Sequence, residues 1–101
     1  MARSTLIKEI ISTDTARVAE YSIPARTRGR EHAHNTVFEE LFCLTGKLRI
    51  ETAGQEDIHL NSGEKVLISA GTTHCVNNDS DQTARFLVVQ GGRGFNIITD
   101  S

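Results

Sequence analysis

The chain has no tryptophan, a single proline (Pro24), one methionine, and aromatic residues at only 5%. A large aromatic-lined pocket is therefore not expected. No run of ~18 apolar residues occurs, so no membrane-spanning helix is expected. The start, Met1-Ala2-Arg3-Ser4-Thr5, lacks the apolar stretch of a secretory leader. Neither sign of charge dominates, with 11 Lys+Arg against 13 Asp+Glu and a net charge of −2. That balance argues against electrostatic binding to nucleic acid or to an anionic membrane. The two cysteines, Cys43 and Cys75, lack C-x-x-C spacing, so neither a disulfide nor a redox pair is expected. These absences together describe a soluble cytoplasmic protein. At 101 residues the chain is read as one domain, residues 1–101, with one modest core.

No convincing helix period is present. Residues 5–12 favour a strand, with a short helix as the alternative. Residues 16–23 alternate, with Ala19, Tyr21 and Ile23 on one face and Glu20 and Ser22 on the other. Residues 25–31 read as a polar, basic loop. Residues 37–44 form a strand ended at Gly46. In 47–52, Leu48 and Ile50 point inward while Lys47, Arg49 and Glu51 point outward. Short strands follow at 57–60 and 64–69, with turns at 53–56 and 61–63. Residues 84–90 are strongly apolar and read as a central strand broken by Gly91-Gly92, and 95–98 as a last short strand. Turn signals every 8–12 residues indicate an all-β sandwich or barrel.

The polar residues of interest begin at His32-Ala33-His34. On a strand, residues i and i+2 share a face ~7 Å apart, so the two imidazoles can address one point. Glu39 has the wrong parity to join them on the same strand. Asn35-Thr36 is turn chemistry, and a returning strand brings Glu39 alongside. His74 lies downstream, in Gly71-Thr72-Thr73-His74. Two imidazoles and a carboxylate form a set used for redox metals, and a third imidazole tightens it.

The sequence His32-x-His34-x4-Glu39-x6-Gly46, with Gly63-x5-Ser69-x-Gly71-x2-His74-x3-Asn78, resembles the two motifs of a small single-domain cupin. The motifs span about half the chain. Arg26 stands in place of the first motif's opening glycine, and Ser69 in place of the second motif's proline. The resemblance implies a double-stranded β-helix (jelly-roll) barrel holding a divalent transition metal (Fe, Mn, Ni or Zn). His32, His34, Glu39 and His74 are the expected ligands, leaving about two positions open on an octahedral ion. Glu40 competes with Glu39, but the six-residue spacer to Gly46 favours Glu39.

Other residues have two readings each. Asn78 either fixes an imidazole or starts a turn. Cys43 faces inward but lies ~13 Å along the strand from Glu39, too far to share its metal. Both cysteines read as small buried hydrophobes. His59 reads as a solvated surface residue. Arg26, Arg28 and Arg30 form either a basic rim for a substrate carboxylate or phosphate, or a solvated loop face. Gln90 shares the parity of Phe86 and Val88, which places its amide toward the pocket.

The expected function is that of a metal-dependent enzyme, of dioxygenase, isomerase or lyase type, acting on a small polar or carboxylate-bearing substrate. The alternative is a non-catalytic sensor of a metal or small ligand, and a third reading is a barrel without metal. A homodimer is expected, with residues 5–12 covering a sheet edge. Neither nucleic acid nor membrane is an expected partner.

Overall fold

The computed structural model describes residues 4–29 and 37–92, and these form nine β-strands with no helix among them. The strands are β1 (Thr5–Ser12), β2 (Ala16–Ile23), β3 (Thr27–Arg28), β4 (Val37–Thr45), β5 (Lys47–Thr52), β6 (Ile58–Asn61), β7 (Lys65–Ile68), β8 (His74–Asn78) and β9 (Ala84–Gly92). They make a five-stranded sheet ordered β1-β2-β9-β4-β7 and a four-stranded sheet ordered β3-β8-β5-β6, with every pairing antiparallel. This is the all-β double-stranded β-helix, or jelly roll, that the cupin resemblance implied, and one form of the sandwich or barrel indicated by the turn spacing.

Period-two alternation explains how the two sheets close on one core. Ala19, Tyr21 and Ile23 of β2, Leu41 and Cys43 of β4, and Ala84, Phe86 and Val88 of β9 all face inward and are buried. Leu48, Ile50, Leu60 and Val76 meet them from the other sheet. Tyr21 stacks on Phe86 with ring centroids 5.5 Å apart and planes 13° from parallel. The apolar segment 84–90 does lie in the middle of the larger sheet, between β2 and β4.

Residues 5–12 form the strand and not the helical alternative. Two local expectations are corrected. The basic segment 25–31 contains the two-residue strand β3. Gly91 and Gly92 do not break β9, because both pair with β4 and Gly91 also pairs with β2. The strand expected at 95–98 lies outside the described residues.

Backbone demands explain two glycines. Gly46 turns β4 into β5 at φ +84°, where a Cβ would stand 3.0 Å from the Ala84 side chain. A Cβ at Gly29 would stand 2.2 Å from the Val76 carbonyl oxygen, so only glycine lets the chain leave β3 there. Arg26, standing in the motif's glycine position, keeps a left-handed backbone at φ 53°. An L side chain incurs strain in this region, which favours glycine.

On the outer side of the four-stranded sheet, Arg49 ties two loops together. Its guanidinium donates to Asp79 at 2.7 Å and to Asp57 at 3.0 Å, and lies 3.2 Å from Glu51. The hydrogen bond from Arg49 holds the Asp79 carboxyl below its ordinary value. Partial desolvation is the largest influence on the Glu51 carboxyl and raises it, but the hydrogen bonds from Arg49 and Asn77 and the charges of Arg28 and Arg49 together outweigh it, and that carboxyl is also lowered. Carboxyls with depressed folded-state values contribute stability above their ordinary values of 3.8 and 4.5, and that contribution is lost as pH falls through the folded values. An Arg49→Met variant should therefore be less stable than the parent near neutrality, with the difference shrinking as pH falls through the carboxyl range. Urea unfolding followed by circular dichroism at several pH values from 7 to ~3 checks this; a stability difference that does not change with pH would count against the clamp.

Candidate metal centre

Register places one inward-facing row across the five-stranded sheet: Ser12, Arg17, Gln90, Glu39 and Ile68, on β1, β2, β9, β4 and β7 in turn. Glu39 lies between Gln90 and Ile68 in it and is 0% exposed. From the facing sheet, His74 opens β8 immediately after the turn at Gly71, and is 2% exposed. The two side chains meet in the core, with His74 Nε2 3.0 Å from Glu39 Oε2. Gln90 Nε2 donates to the other carboxylate oxygen, Oε1, at 2.9 Å. His74 Nδ1 lies 3.0 Å from the Thr72 carbonyl oxygen.

These contacts constrain the charge state. A carbonyl oxygen and a carboxylate oxygen are both acceptors, so each ring nitrogen of His74 faces an acceptor. A neutral imidazole has one N–H and can satisfy only one of them. With Nδ1–H donating to Thr72, the Nε2 lone pair would face a carboxylate unless a cation lay between them. That cation is either a proton or a metal ion. Burial disfavours the charged ring, yet the hydrogen bond and charge of Glu39 more than offset it, and the His74 pKa is raised above the ordinary imidazole value.

The same geometry suits a metal. Ligand atoms at ~2.0–2.2 Å from one ion and at right angles to each other lie ~3 Å apart. The 3.0 Å separation of Nε2 and Oε2 has that value. The donor set of imidazole and carboxylate, with the outer imidazole nitrogen held by a carbonyl and the outer carboxylate oxygen held by an amide, is how metal ligands are commonly oriented. The residues present therefore fit a divalent ion.

His32 and His34 lie outside the described residues, as does Arg30. Among the described residues no group of three or more His, Cys, Asp or Glu side chains converges, and His74 and Glu39 are the two expected ligands brought together. Glu40 sits on the opposite face of β4, 3.2 Å from Lys65. Cys43 is buried in the core and Cys75 is also buried; no disulfide joins them. Asn78 ties the barrel floor: Nδ2 donates to the carbonyls of Ile23, Pro24 and Gln82, and Oδ1 accepts from Ser80. That is the turn-building role. His59 is exposed on β6. Arg26 and Arg28 are ion-paired with Asp81 and Glu51, so neither stands as a lone rim cation.

Two residues escaped the sequence reading. Thr52 continues the inward parity of Leu48 and Ile50 and faces His74 directly across the strand pair. It is 9% exposed, and among the described residues its hydroxyl has no hydrogen-bond partner. Arg17 continues the inward parity of Ala19 and Tyr21, donates to the Tyr21 hydroxyl at 3.1 Å and pairs with Glu9 at 3.1 Å. The alternation itself carried both signals. A pocket of about 250 Å³ opens beside the centre, lined in part by Arg28, Glu51, Thr52, Thr73 and His74.

The cupin domain family model matches residues 19–90. No curated protein sequence matches the chain. Among solved structures, TT1209 from Thermus thermophilus is 23% identical, with a TM-score of 0.80 over 90% of this chain and 85% of that one. The DMSP lyase DddQ from Ruegeria pomeroyi is 22% identical, with a TM-score of 0.71 over 79% of this chain and 40% of that one. A recombinant oxalate oxidase in complex with glycolate is 16% identical, with a TM-score of 0.80 over 94% of this chain and 54% of that one. At these identities the likeness shows the shared fold. With the family match spanning β2 to β9 and both sheets in place around Glu39 and His74, the chain belongs to the cupin domain family.

Proposed function

We propose that the chain is a metal-dependent enzyme acting on a small polar or carboxylate-bearing substrate. In this reading His32, His34, Glu39 and His74 hold a divalent transition metal: Fe, Mn, Ni or Zn. The buried His74–Glu39 contact carries it, because both ring nitrogens face acceptors and the site calls for a cation. Structural likeness to an oxalate oxidase and to a DMSP lyase supports small organic acids as the substrates to try. A metal bound there would supply Lewis acidity, with redox chemistry if it were iron or manganese.

The chain's own residues do the positioning. Thr72, through its carbonyl, keeps His74 in one tautomer with Nε2 turned to the centre. Gln90 holds one carboxylate oxygen of Glu39 and leaves the other directed at His74. The Thr52 hydroxyl, buried opposite His74, hydrogen-bonds a polar atom of the substrate. Arg17 stands two strands from Glu39 in the same row and supplies the positive charge that a carboxylate requires. The protein works in the cytoplasm as a homodimer, with neither nucleic acid nor membrane as partner. The near-neutral charge balance supports the last point.

A non-catalytic sensor of metal or small ligand is the second reading. One observation favours it: among the described residues, the inward rows of the five-stranded sheet offer no carboxylate or imidazole beyond Glu39 and the edge residue Glu9, which is already paired with Arg17. Oxygen uptake and turnover with a panel of small acids separate the two readings.

Protein purified without chelator should carry close to one metal per chain, read by elemental analysis. Less than about a tenth of an ion per chain after anaerobic Fe(II) and Zn(II) reconstitution would remove the metal reading. His74→Ala and Glu39→Gln should each lower metal affinity at least ~100-fold, and Gln90→Leu roughly 10- to 100-fold. Glu40→Gln should leave metal content unchanged; loss there would move the carboxylate ligand to Glu40. Thr52→Val should leave metal content unchanged and raise KM for an active acid about 10-fold, the loss of one hydrogen bond. An unaltered KM would take Thr52 out of the substrate site.

A further inference from the structure

Among the described residues, Arg17 is the one lysine or arginine on an inward row of either sheet. A cation on that face needs partners, and Arg17 has two of unequal character. Its Nη2 donates at 3.1 Å to the hydroxyl of Tyr21, which is 3% exposed and stacked on Phe86. Its Nε donates at 3.1 Å to Glu9 Oε2 on the edge strand β1. The Arg17 side chain is 17% exposed and that of Glu9 43%. Tyr21 is therefore fixed in the core, while Glu9 belongs to a strand exposed along its whole length. Among the described residues, Nη1 of Arg17 meets no acceptor.

Glu9 reaches the guanidinium through an irregular register. Leu6 pairs with Tyr21 and faces inward, so strict alternation along β1 would turn Glu9 outward. A shift between Leu6 and Lys8 reverses the parity: Lys8 then pairs with the outward Glu20, and Glu9 with the inward Ala19. A second shift follows between Glu9 and Ile11. Ala19 is the small inward residue between Arg17 and Tyr21, so Glu9 arrives beside the folded arginine side chain.

We propose that Glu9 is a specificity-determining residue: it holds Arg17 in the free protein and yields the guanidinium to the substrate's carboxylate. The inference rests on the reading above that Arg17 receives that carboxylate. A substrate carboxylate arriving at Nη1 sets two negative charges around one positive charge. One of them has to withdraw, and Glu9 loses less by doing so. It returns to water with little desolvation to undo, and an ion pair this exposed stabilises the fold only slightly. The substrate, in contrast, is held at its other end beside Glu39 and His74. A neutral ligand has no charge to exchange for Glu9, so the pair stays closed and the guanidinium stays neutralised. The contact thereby favours a carboxylate, whose two oxygens match the guanidinium fork, over a neutral analogue of the same shape.

Calorimetric titration of metal-loaded protein with succinate, glutarate and the neutral succinamide tests this. Tyr21 is the only tyrosine and there is no tryptophan, so tyrosine emission reports whether a probe reaches Arg17. Glu9→Gln should tighten binding of the acids about 5-fold, the competition removed with an ion pair of this exposure. It should leave succinamide, circular dichroism and metal content unchanged. Arg17→Met should weaken the acids at least ~10-fold, and in that background Glu9→Gln should bring no gain. Acids that bind the Glu9→Gln variant but not the parent would also support the exchange. If Arg17→Met weakens the acids while Glu9→Gln leaves them unchanged or weaker, or if the gain persists without Arg17, the role of Glu9 is overturned and Arg17 keeps its own. If neither the parent nor Glu9→Gln binds an acid, or Arg17→Met makes no difference, the carboxylate reading of Arg17 falls and Glu9 with it.

Discussion

A carboxylate removed from water has to be met by donors or by positive charge, since its desolvation otherwise outweighs what folding returns. Glu39 is wholly buried and is met from two directions, by the Gln90 amide and by His74. His74 is itself buried and held by the Thr72 carbonyl. Each of these groups makes the others more acceptable in the interior. The core below them is apolar, built from Leu41, Val88, Ile50 and Val76. The arrangement therefore admits a cation at one place, and the two sheets must close in one register to create it.

The antiparallel pairing imposes that register. Glu39 pairs with Gln90 on one side and Ile68 on the other, while Thr52 pairs with His74 on adjacent strands of the facing sheet. A one-residue slip of β4 would send Glu39 to the outer face and bring Glu40 inward, exchanging the centre for the apolar surface that Leu67 and Val89 now share with Glu40. Site and outer face are thus two consequences of one alignment. The same strands that close around a polar centre leave Phe38, Phe42 and Leu67 outward, and the inner chemistry and the outer surface are coupled through backbone pairing rather than through any side-chain path.

Much of this was legible from local pattern. Alternation in 16–23 and 47–52 assigned inward faces correctly, and the parity of Gln90 with Phe86 and Val88 pointed its amide to the centre, where it bonds Glu39. Glu39 and Glu40 were separated by parity and by the spacer to Gly46, and they do face opposite ways. Thr52 and Arg17 were equally available from the same alternation; a threonine at a strand end and an arginine on a mixed strand do not stand out as pocket residues. Gly91-Gly92 misled because paired glycines usually end strands. Here β4 and β2 hold Gly91 from both sides, with Phe38 lying over it, so the ladder overrides local propensity. The short β3 was hidden because two residues carry no period.

From the sequence alone came the all-β class, the inward faces, and the expectation that His74 and Glu39 act together, because period-two alternation and motif spacing are local properties that survive without knowledge of the fold. Only the tertiary structure decided that the His74 ring is held between two acceptors, that Thr52 stands opposite it with a buried hydroxyl, and that Arg26 and Arg28 are neutralised by Asp81 and Glu51. Those facts depend on distances between residues tens of positions apart in the chain. Such distances exist only once strand pairing has fixed the register and the two sheets have closed.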